Sequence, residues 1–341
     1  MNKKNISNLE NLTDEELLAL RFSELHLKIE DTWLQSCIQE LYQELTEKKI
    51  NFKPLCYLAD EWLCPDGEPV IGIPFYLAHQ RLKKLEYKIM LEAEGGDKTS
   101  CMKLLRHEAG HAINYAYRLH RRKKWKDLFG PFLSEYPEKY KYKPYSRRYV
   151  IHLEEWYAQY HPDEDFAETF AVWLAPDSNW KERYKGWQAL KKLNYVDFLM
   201  KDIFLKDPVK PVGKKYWDIK KMKMKLDTYY KRKKKLFAEN YSDFHDFYLN
   251  KVLDNDVMED NADKVYKILK KNRKEIVKDV ALSTGEKKYR IDGLVRKLTE
   301  RCKELGFKFA GNEKEIILKL SVYITAQIMN FMYTGKFKKK R

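Results

Sequence analysis

An α+β fold is predicted for this chain of 341 residues, with a small sheet preceding an active-site helix and an all-helical basic extension closing the chain. Three observations predict it. Between 51 and 93 the apolar stretches are short and bounded by turn residues, Cys64-Pro65-Asp66-Gly67 and Gly95-Gly96. On either side of that stretch, apolar residues recur at helical spacing. Beyond a Pro-Val-Lys-Pro-Val-Gly linker candidate at 208–213, the chain turns lysine-rich and carries no strand-like run. The expected organisation is a helical segment over 1–50, a domain over 51–207 and a lysine-rich helical region over 208–341.

The elements follow in order. Thr13 can cap a helix, with Asp14, Glu15 and Glu16 in its first turn. Leu17, Leu18, Leu25, Trp33, Leu34, Cys37, Ile38, Leu41 and Leu45 then continue the helical pattern to 48, with a break near Asp31 or Thr32. Residues 52–58, 69–77 and 85–92 read as strands, whose free edge could take an extended peptide by β-addition. Thr99 or Ser100 can cap a helix that runs through 101–111. Residues 119–148 form a basic, aromatic connector, long for a loop and so expected to hold short helices or a cleft wall. Residues 149–161 read as helical. His161-Pro162 then opens another helix, since proline suits the first helical position and Asp163, Glu164 and Asp165 suit the first turn. It stops at Pro176, and further helices are expected over 180–206.

Composition narrows the classes. Hydrophobic residues make up 44% and the mean hydropathy is −0.70, which suits a soluble globular chain. No membrane span is expected: 70–78 is too short, and 316–333 is broken by Lys319, Ser321, Gln327 and Asn330. The opening residues 1–18 have no apolar core, so no secretory signal is expected. The five cysteines, Cys37, Cys56, Cys64, Cys101 and Cys302, form no C-x-x-C pair and read as reduced thiols of a cytoplasmic protein.

The pattern richest in chemistry is His107-Glu108-Ala109-Gly110-His111, an H-E-x-x-H. On a helix, positions i and i+4 share a face, so both imidazoles can reach one metal. The intervening glutamate can take a proton from a water on that metal. A catalytic zinc takes three protein ligands and keeps a fourth position open. The third ligand is expected from the helix opened by Pro162: Glu164 and Glu168 share a face, so one can ligate while the other buttresses a ligand histidine through its second ring nitrogen. The spacing alone leaves open which of the two ligates, with Asp165 and His161 as further candidates. Asp163 and Asp165 are also explained by the attraction of a helix N-terminus for acids.

H-E-x-x-H followed by Glu164-x-x-Ala167-Glu168-x-Phe170-Ala171 resembles the gluzincin branch of the zincin metallopeptidases. Shared phrases at 74–79, 105–112 and 161–174 are similar to bacterial zinc-binding metallopeptidases of that kind. The resemblance covers roughly 50–205 and leaves the basic region out. It implies a zincin-like domain holding Zn2+ through His107, His111 and Glu164, with Glu108 as general base and Glu168 as partner of a ligand histidine. The 52 residues between His111 and Glu164 fit this branch. Tyr157, seven residues before Glu164, corresponds to a tyrosine of the same pattern. Together with Tyr160 and His161 it is a candidate donor to an oxyanion.

The implied activity is hydrolysis of a peptide or protein substrate. The alternatives are a non-catalytic, zinc-stapled binding module and a protein that works through its basic region. Residues 1–210 carry 33 basic and 33 acidic side chains, whereas 211–341 carry 34 and 18, which accounts for the whole net charge of +16. An anionic partner, nucleic acid or acidic protein, is the expectation there, against a simple solvated helix face. Tyr229-Tyr230, set among lysines, could stack bases or serve packing.

Overall fold

Thr13 starts the first helix as its sequence requires: its hydroxyl accepts from the Glu16 N–H, and the Glu16 carboxylate accepts from the Thr13 N–H. The structure is a computed structural model, and it describes residues 9–137, 143, 146–237, 249, 253, 263–309 and 312–334. Among these residues the chain is mostly helical, with a parallel sheet of two strands. The helical stretch to 48 does break before Trp33, as Asp31 and Thr32 suggest, but 20–32 is not α-helical. α1 (Asp14–Ala19) and α2 (Trp33–Glu47) are separated by a 3-10 turn at Phe22–Glu24. Leu34, Cys37, Ile38, Leu41 and Leu45 face inward along α2.

β1 (Leu55–Ala59) and β2 (Val70–Pro74) lie parallel, with Tyr57 opposite Gly72. On its other side Gly72 pairs antiparallel with Leu63, and the Ile219 N–H donates to Leu58 O at 3.2 Å. The chain itself therefore occupies the strand edges at these positions, where an incoming peptide was expected to pair.

The third expected strand, 85–92, is instead part of a helix, α3 (Gln80–Met90), capped by His79 through the Arg81 N–H. Leu85, Tyr87 and Ile89 alternate like a strand. The buried set, however, is Leu82, Leu85, Glu86 and Met90, which has helical spacing, and Tyr87 is exposed. α4 (Lys98–Ala116) starts two or three residues earlier than a cap at Thr99 or Ser100 implies. The Asp97 carboxylate caps it, accepting from the Ser100 N–H and hydroxyl at 3.0 and 2.6 Å. Asp beats Ser here because it receives both donors at once.

The connector holds α5 (Lys123–Phe129), whose Trp125 and Phe129 are buried. Residues Glu154–Gln159 form a 3-10 turn rather than a longer helix. α6 (Pro162–Leu174) begins at the expected proline, with His161 as cap. α7 (Trp180–Arg183) and α8 (Ala189–Asp202) complete the helices before 206.

The break between two compact units falls at Lys231–Arg232 rather than at 207/208. Residues beyond 208 are bonded into the first unit. The Lys210 N–H donates to Ala116 O at 2.9 Å, Lys210 Nζ meets Glu68 at 2.7 Å, and the Phe22 N–H donates to Met224 O at 3.1 Å. Nor is 1–50 a separate segment, because Arg106 of α4 grips Glu44 of α2 through two bonds of 2.8 and 2.6 Å. Tyr229 and Tyr230, on α9 (Leu226–Phe237), are core residues and not a stacking platform. Both are buried; Tyr229 packs on Phe22 at 5.3 Å and donates to Glu61.

The second unit is not wholly helical. β3 (Asp263–Lys264) pairs antiparallel with β4 (Lys308–Phe309), beside α10 (Val265–Thr284), α11 (Lys288–Glu304) and α12 (Glu313–Thr334). Leu269, Ile276, Leu294, Leu298, Ile316 and Ile324 share its core. By length and composition alone, Glu313–Tyr333 is long and apolar enough to cross a membrane, unlike the expectation from its interrupting polar residues. Its Ile316, Leu320, Ile324 and Ile328 nevertheless pack inside this unit. The basic terminus 337–341 lies outside the described residues.

Candidate metal centre

α4 and α6 pack closely enough to bring side chains from both to one point. His107 and His111, four residues apart on α4, project on one face. Their Nε2 atoms stand 3.1 Å apart. Glu164 of α6 places Oε2 3.1 Å from His107 Nε2 and 3.2 Å from His111 Nε2. The three atoms form a near-equilateral triangle, and all three residues are buried.

The opposite ring nitrogens decide what this triangle is. His107 Nδ1 lies 2.8 Å from Glu168 Oε1, and His111 Nδ1 lies 2.8 Å from Asp163 Oδ2. An ionised carboxylate only accepts, so each Nδ1 carries the proton and donates it. In the neutral imidazole each Nε2 then presents a lone pair. Two nitrogen lone pairs and a carboxylate oxygen facing one another at such distances repel unless a cation lies among them. Without a metal, that cation is the proton. Burial opposes charge on His107, but hydrogen bonds to Glu164 and Glu168 outweigh it and hold the ring up at about 10. His111 is likewise held well above its usual range, against burial, by Asp163 and Glu164. Burial would raise Glu164, yet the two histidines hold it well below the usual carboxylate range.

The donor set fits a zinc-sized ion. Tetrahedral ligands at about 2.0–2.1 Å from a metal are separated by about 3.3 Å. The observed edges are only slightly shorter, so a small outward movement suffices.

The partners of the histidines are themselves fixed. Asp163 Oδ2 also accepts from the Tyr115 hydroxyl at 2.5 Å, and its Oδ1 accepts from Asn114 Nδ2 at 2.7 Å. Burial would raise this carboxylate, but His111 and the hydrogen bonds hold it below its ordinary value. Glu168 Oε2 accepts from the Leu153 N–H at 2.9 Å. Glu168 thus stands behind His107, on the ring nitrogen that faces away from Glu164. Asp163 does the same for His111, although its sequence position is equally explained by the helix dipole.

The other carboxylate and imidazole candidates are engaged elsewhere. Asp165 is paired with Lys192 at 2.5 Å. His161 accepts from the Asp163 N–H through Nδ1 and donates from Nε2 to Ser134 O at 2.9 Å, so neither nitrogen is free.

Glu108, between the two histidines, is buried, and burial raises its carboxyl above the ordinary value although both histidines pull it down. Among the described residues no hydrogen bond or ion pair reaches its carboxylate. Tyr157 lies with its ring 5.6 Å from that of His107, and burial lifts its hydroxyl well above the usual range. Tyr160 lies behind it at 5.8 Å. Tyr136, which no motif marked, donates its hydroxyl to Glu164 Oε1 at 2.9 Å.

No family model, no curated protein and no solved structure matches this chain.

Proposed function

We propose that this protein is a zinc-dependent peptidase with a zincin-like domain. One observation carries the reading: two Nε2 lone pairs and one carboxylate oxygen converge within 3.2 Å, backed by protonated Nδ1 atoms on carboxylates, beside the buried Glu108, whose carboxylate has no hydrogen-bond or ion-pair partner among the described residues. His107, His111 and Glu164 would hold the metal. Two imidazoles and one carboxylate with an open position suit zinc best. When bound, zinc supplies Lewis acidity that lowers the pKa of water and polarises a carbonyl.

Glu108 is the general base. It takes a proton from the attacking water and passes it to the amine nitrogen as the peptide C–N bond breaks. Its raised pKa brings its basicity nearer to neutral pH, where such a shuttle works best. Tyr157, a phenol that stays protonated beside His107, is the proposed donor to the developing oxyanion. A purely structural metal site gives Glu108 no task, which argues against a zinc-stapled binding module.

The test is metal analysis of protein purified without chelator, followed by cleavage of a mixed peptide library. About one zinc per chain, lost in Glu164→Ala, is expected. Hydrolysis is expected for the native chain and not for Glu108→Gln, which keeps its zinc. Zinc without hydrolysis would leave a structural metal site, and no zinc would sink the reading.

A separate proposal concerns an anionic partner of the lysine-rich region. Lys267, Lys270, Lys274 and Lys278 stand along the exposed face of α10. Binding of the full chain to RNA that weakens steeply with added salt would support it; binding indifferent to salt would not.

A further inference from the structure

The two oxygens of Glu164 have different occupations. Oε2 faces both histidine Nε2 atoms, at 3.1 and 3.2 Å, whereas Oε1 accepts the Tyr136 hydroxyl at 2.9 Å. We propose that Tyr136 is a positioning residue that ties Glu164 to the metal through one oxygen only, and so keeps open the coordination position that water needs. The proposal rests on the metal-centre reading above.

The geometry explains why the tie is firm. The Tyr136 ring stacks on His161, with centroids 4.1 Å apart and planes 13° from parallel. His161 cannot turn freely, because its Nδ1 accepts from the Asp163 N–H at 3.1 Å and its Nε2 donates to Ser134 O at 2.9 Å. One imidazole therefore caps α6, anchors the segment carrying Tyr136, and serves as the plate on which the phenol lies. Tyr160 flanks the Tyr136 ring at 5.3 Å. The phenol is thus aimed at the carboxylate by packing on rigid neighbours, and its hydroxyl finds Oε1 without competing for Oε2.

A carboxylate can bind a metal through one oxygen or both. With the Tyr136 bond in place, turning Oε1 to the metal would break the hydrogen bond that a half-exposed phenol makes to a buried carboxylate. Without it, no other group among the described residues holds Oε1 away, and the second oxygen can bind beside the water, raising the coordination number and crowding the position that water needs. A catalytic site depends on that position; a closed structural site does not.

Tyr136→Phe keeps the stacked ring and deletes only the hydroxyl. The readout is cobalt(II) substituted for zinc in the full chain, followed by visible absorption, since d–d bands weaken as coordination number rises. The variant is expected to bind one metal like the native chain, to show weaker bands, and to lose roughly 10–100-fold in kcat on a cleavable peptide with KM little changed. X-ray absorption on the zinc form should show one more oxygen neighbour. Identical spectra and kcat in the two proteins would overturn the proposal while leaving the metal centre standing. Absence of bound cobalt and zinc in the native chain would overturn both. A thermal unfolding midpoint close to the native one separates the effect from misfolding.

Discussion

Gly110 of α4 and Ala167 of α6 meet backbone to backbone: a Cβ placed on Gly110 would lie 2.7 Å from Ala167 Cα and 3.0 Å from its carbonyl oxygen. The contact sets the distance between the two helices that carry the candidate ligands. Gly110→Ala gains about 1 kcal/mol in helix propensity. The added methyl nevertheless meets rigid backbone rather than a flexible side chain, and overpacking of this sort costs about 1–3 kcal/mol. The helices must part, and the triangle of His107, His111 and Glu164 widens with them. Zinc affinity measured by competition with a chelator should therefore fall more clearly than the unfolding midpoint. An alanine variant with native zinc affinity would show that the close approach is incidental.

Lys192 of α8 reaches Asp165 of α6 at 2.5 Å, with its ammonium 4.2 Å from the centre of the Tyr149 ring. Asp165 follows Glu164 directly, so this pair fixes the first turn of α6, which carries the candidate ligand, from behind. Burial pushes Asp165 up to about 7 even with the lysine beside it. Lys192→Met leaves the carboxylate buried without its partner, at a cost of about 3–5 kcal/mol. Adding Asp165→Asn should recover part of that loss, because the remaining group is uncharged. Urea unfolding of the two single variants and the double variant measures the coupling. Simple additivity would mean that the pair contributes nothing as a pair.

The helices that carry the candidate ligands are legible in the sequence because their signals are local. H-E-x-x-H sits at i and i+4, and proline after His161 marks the start of α6. Glu168 stood out because it lies deep in an apolar helix. Asp163 was not legible as a histidine partner, since an acid in a first turn needs no further reason. Tyr136 was invisible for a different cause: it lies 28 residues before Glu164, on a loop, and meets it only in three dimensions. The helix at 80–90 is hidden in the sequence because Leu85, Tyr87 and Ile89 alternate, while the face that packs includes the buried carboxyl group of Glu86. The break at 231 was hidden because Lys210, Ile219 and Met224 attach through backbone bonds or a salt bridge, which composition does not display.

Asp14 ties α1 to α3 and gives the first unit an acid-sensitive element. It accepts from Lys88 and from Arg81 Nη2, the latter at 2.5 Å, and these bonds hold its carboxyl below the ordinary value. A depressed folded pKa contributes stability above the ordinary carboxylate pKa and loses it as the pH falls through the folded value. Asp14→Asn should therefore cost about 0.5–1 kcal/mol at neutral pH. The difference from the native chain should shrink progressively below about pH 4. Denaturant unfolding at several pH values tests this. A deficit that stays constant into acid would assign the effect to packing instead of charge.

Asp163 and Glu168 stand behind different histidines, and the difference between their surroundings predicts unequal consequences of losing each. Asp163 accepts from His111, Tyr115 and Asn114, whereas Glu168 accepts from His107 and the Leu153 N–H. Asp163→Asn turns one acceptor oxygen into a donor facing an existing donor, either His111 Nδ1 and the Tyr115 hydroxyl or Asn114. Glu168→Gln can turn its amide away from His107 only by facing the Leu153 N–H. Both changes weaken the hold on the tautomer that leaves Nε2 free, and loss of such a partner lowers metal affinity about 10–100-fold. The larger loss is expected for Asp163→Asn, because three donors depend on that carboxylate and none of them can find water in a site this buried. Zinc competition titrations on the two variants read the order directly. A native affinity in Asp163→Asn would mean that its carboxylate serves the helix start alone, as the sequence by itself allowed.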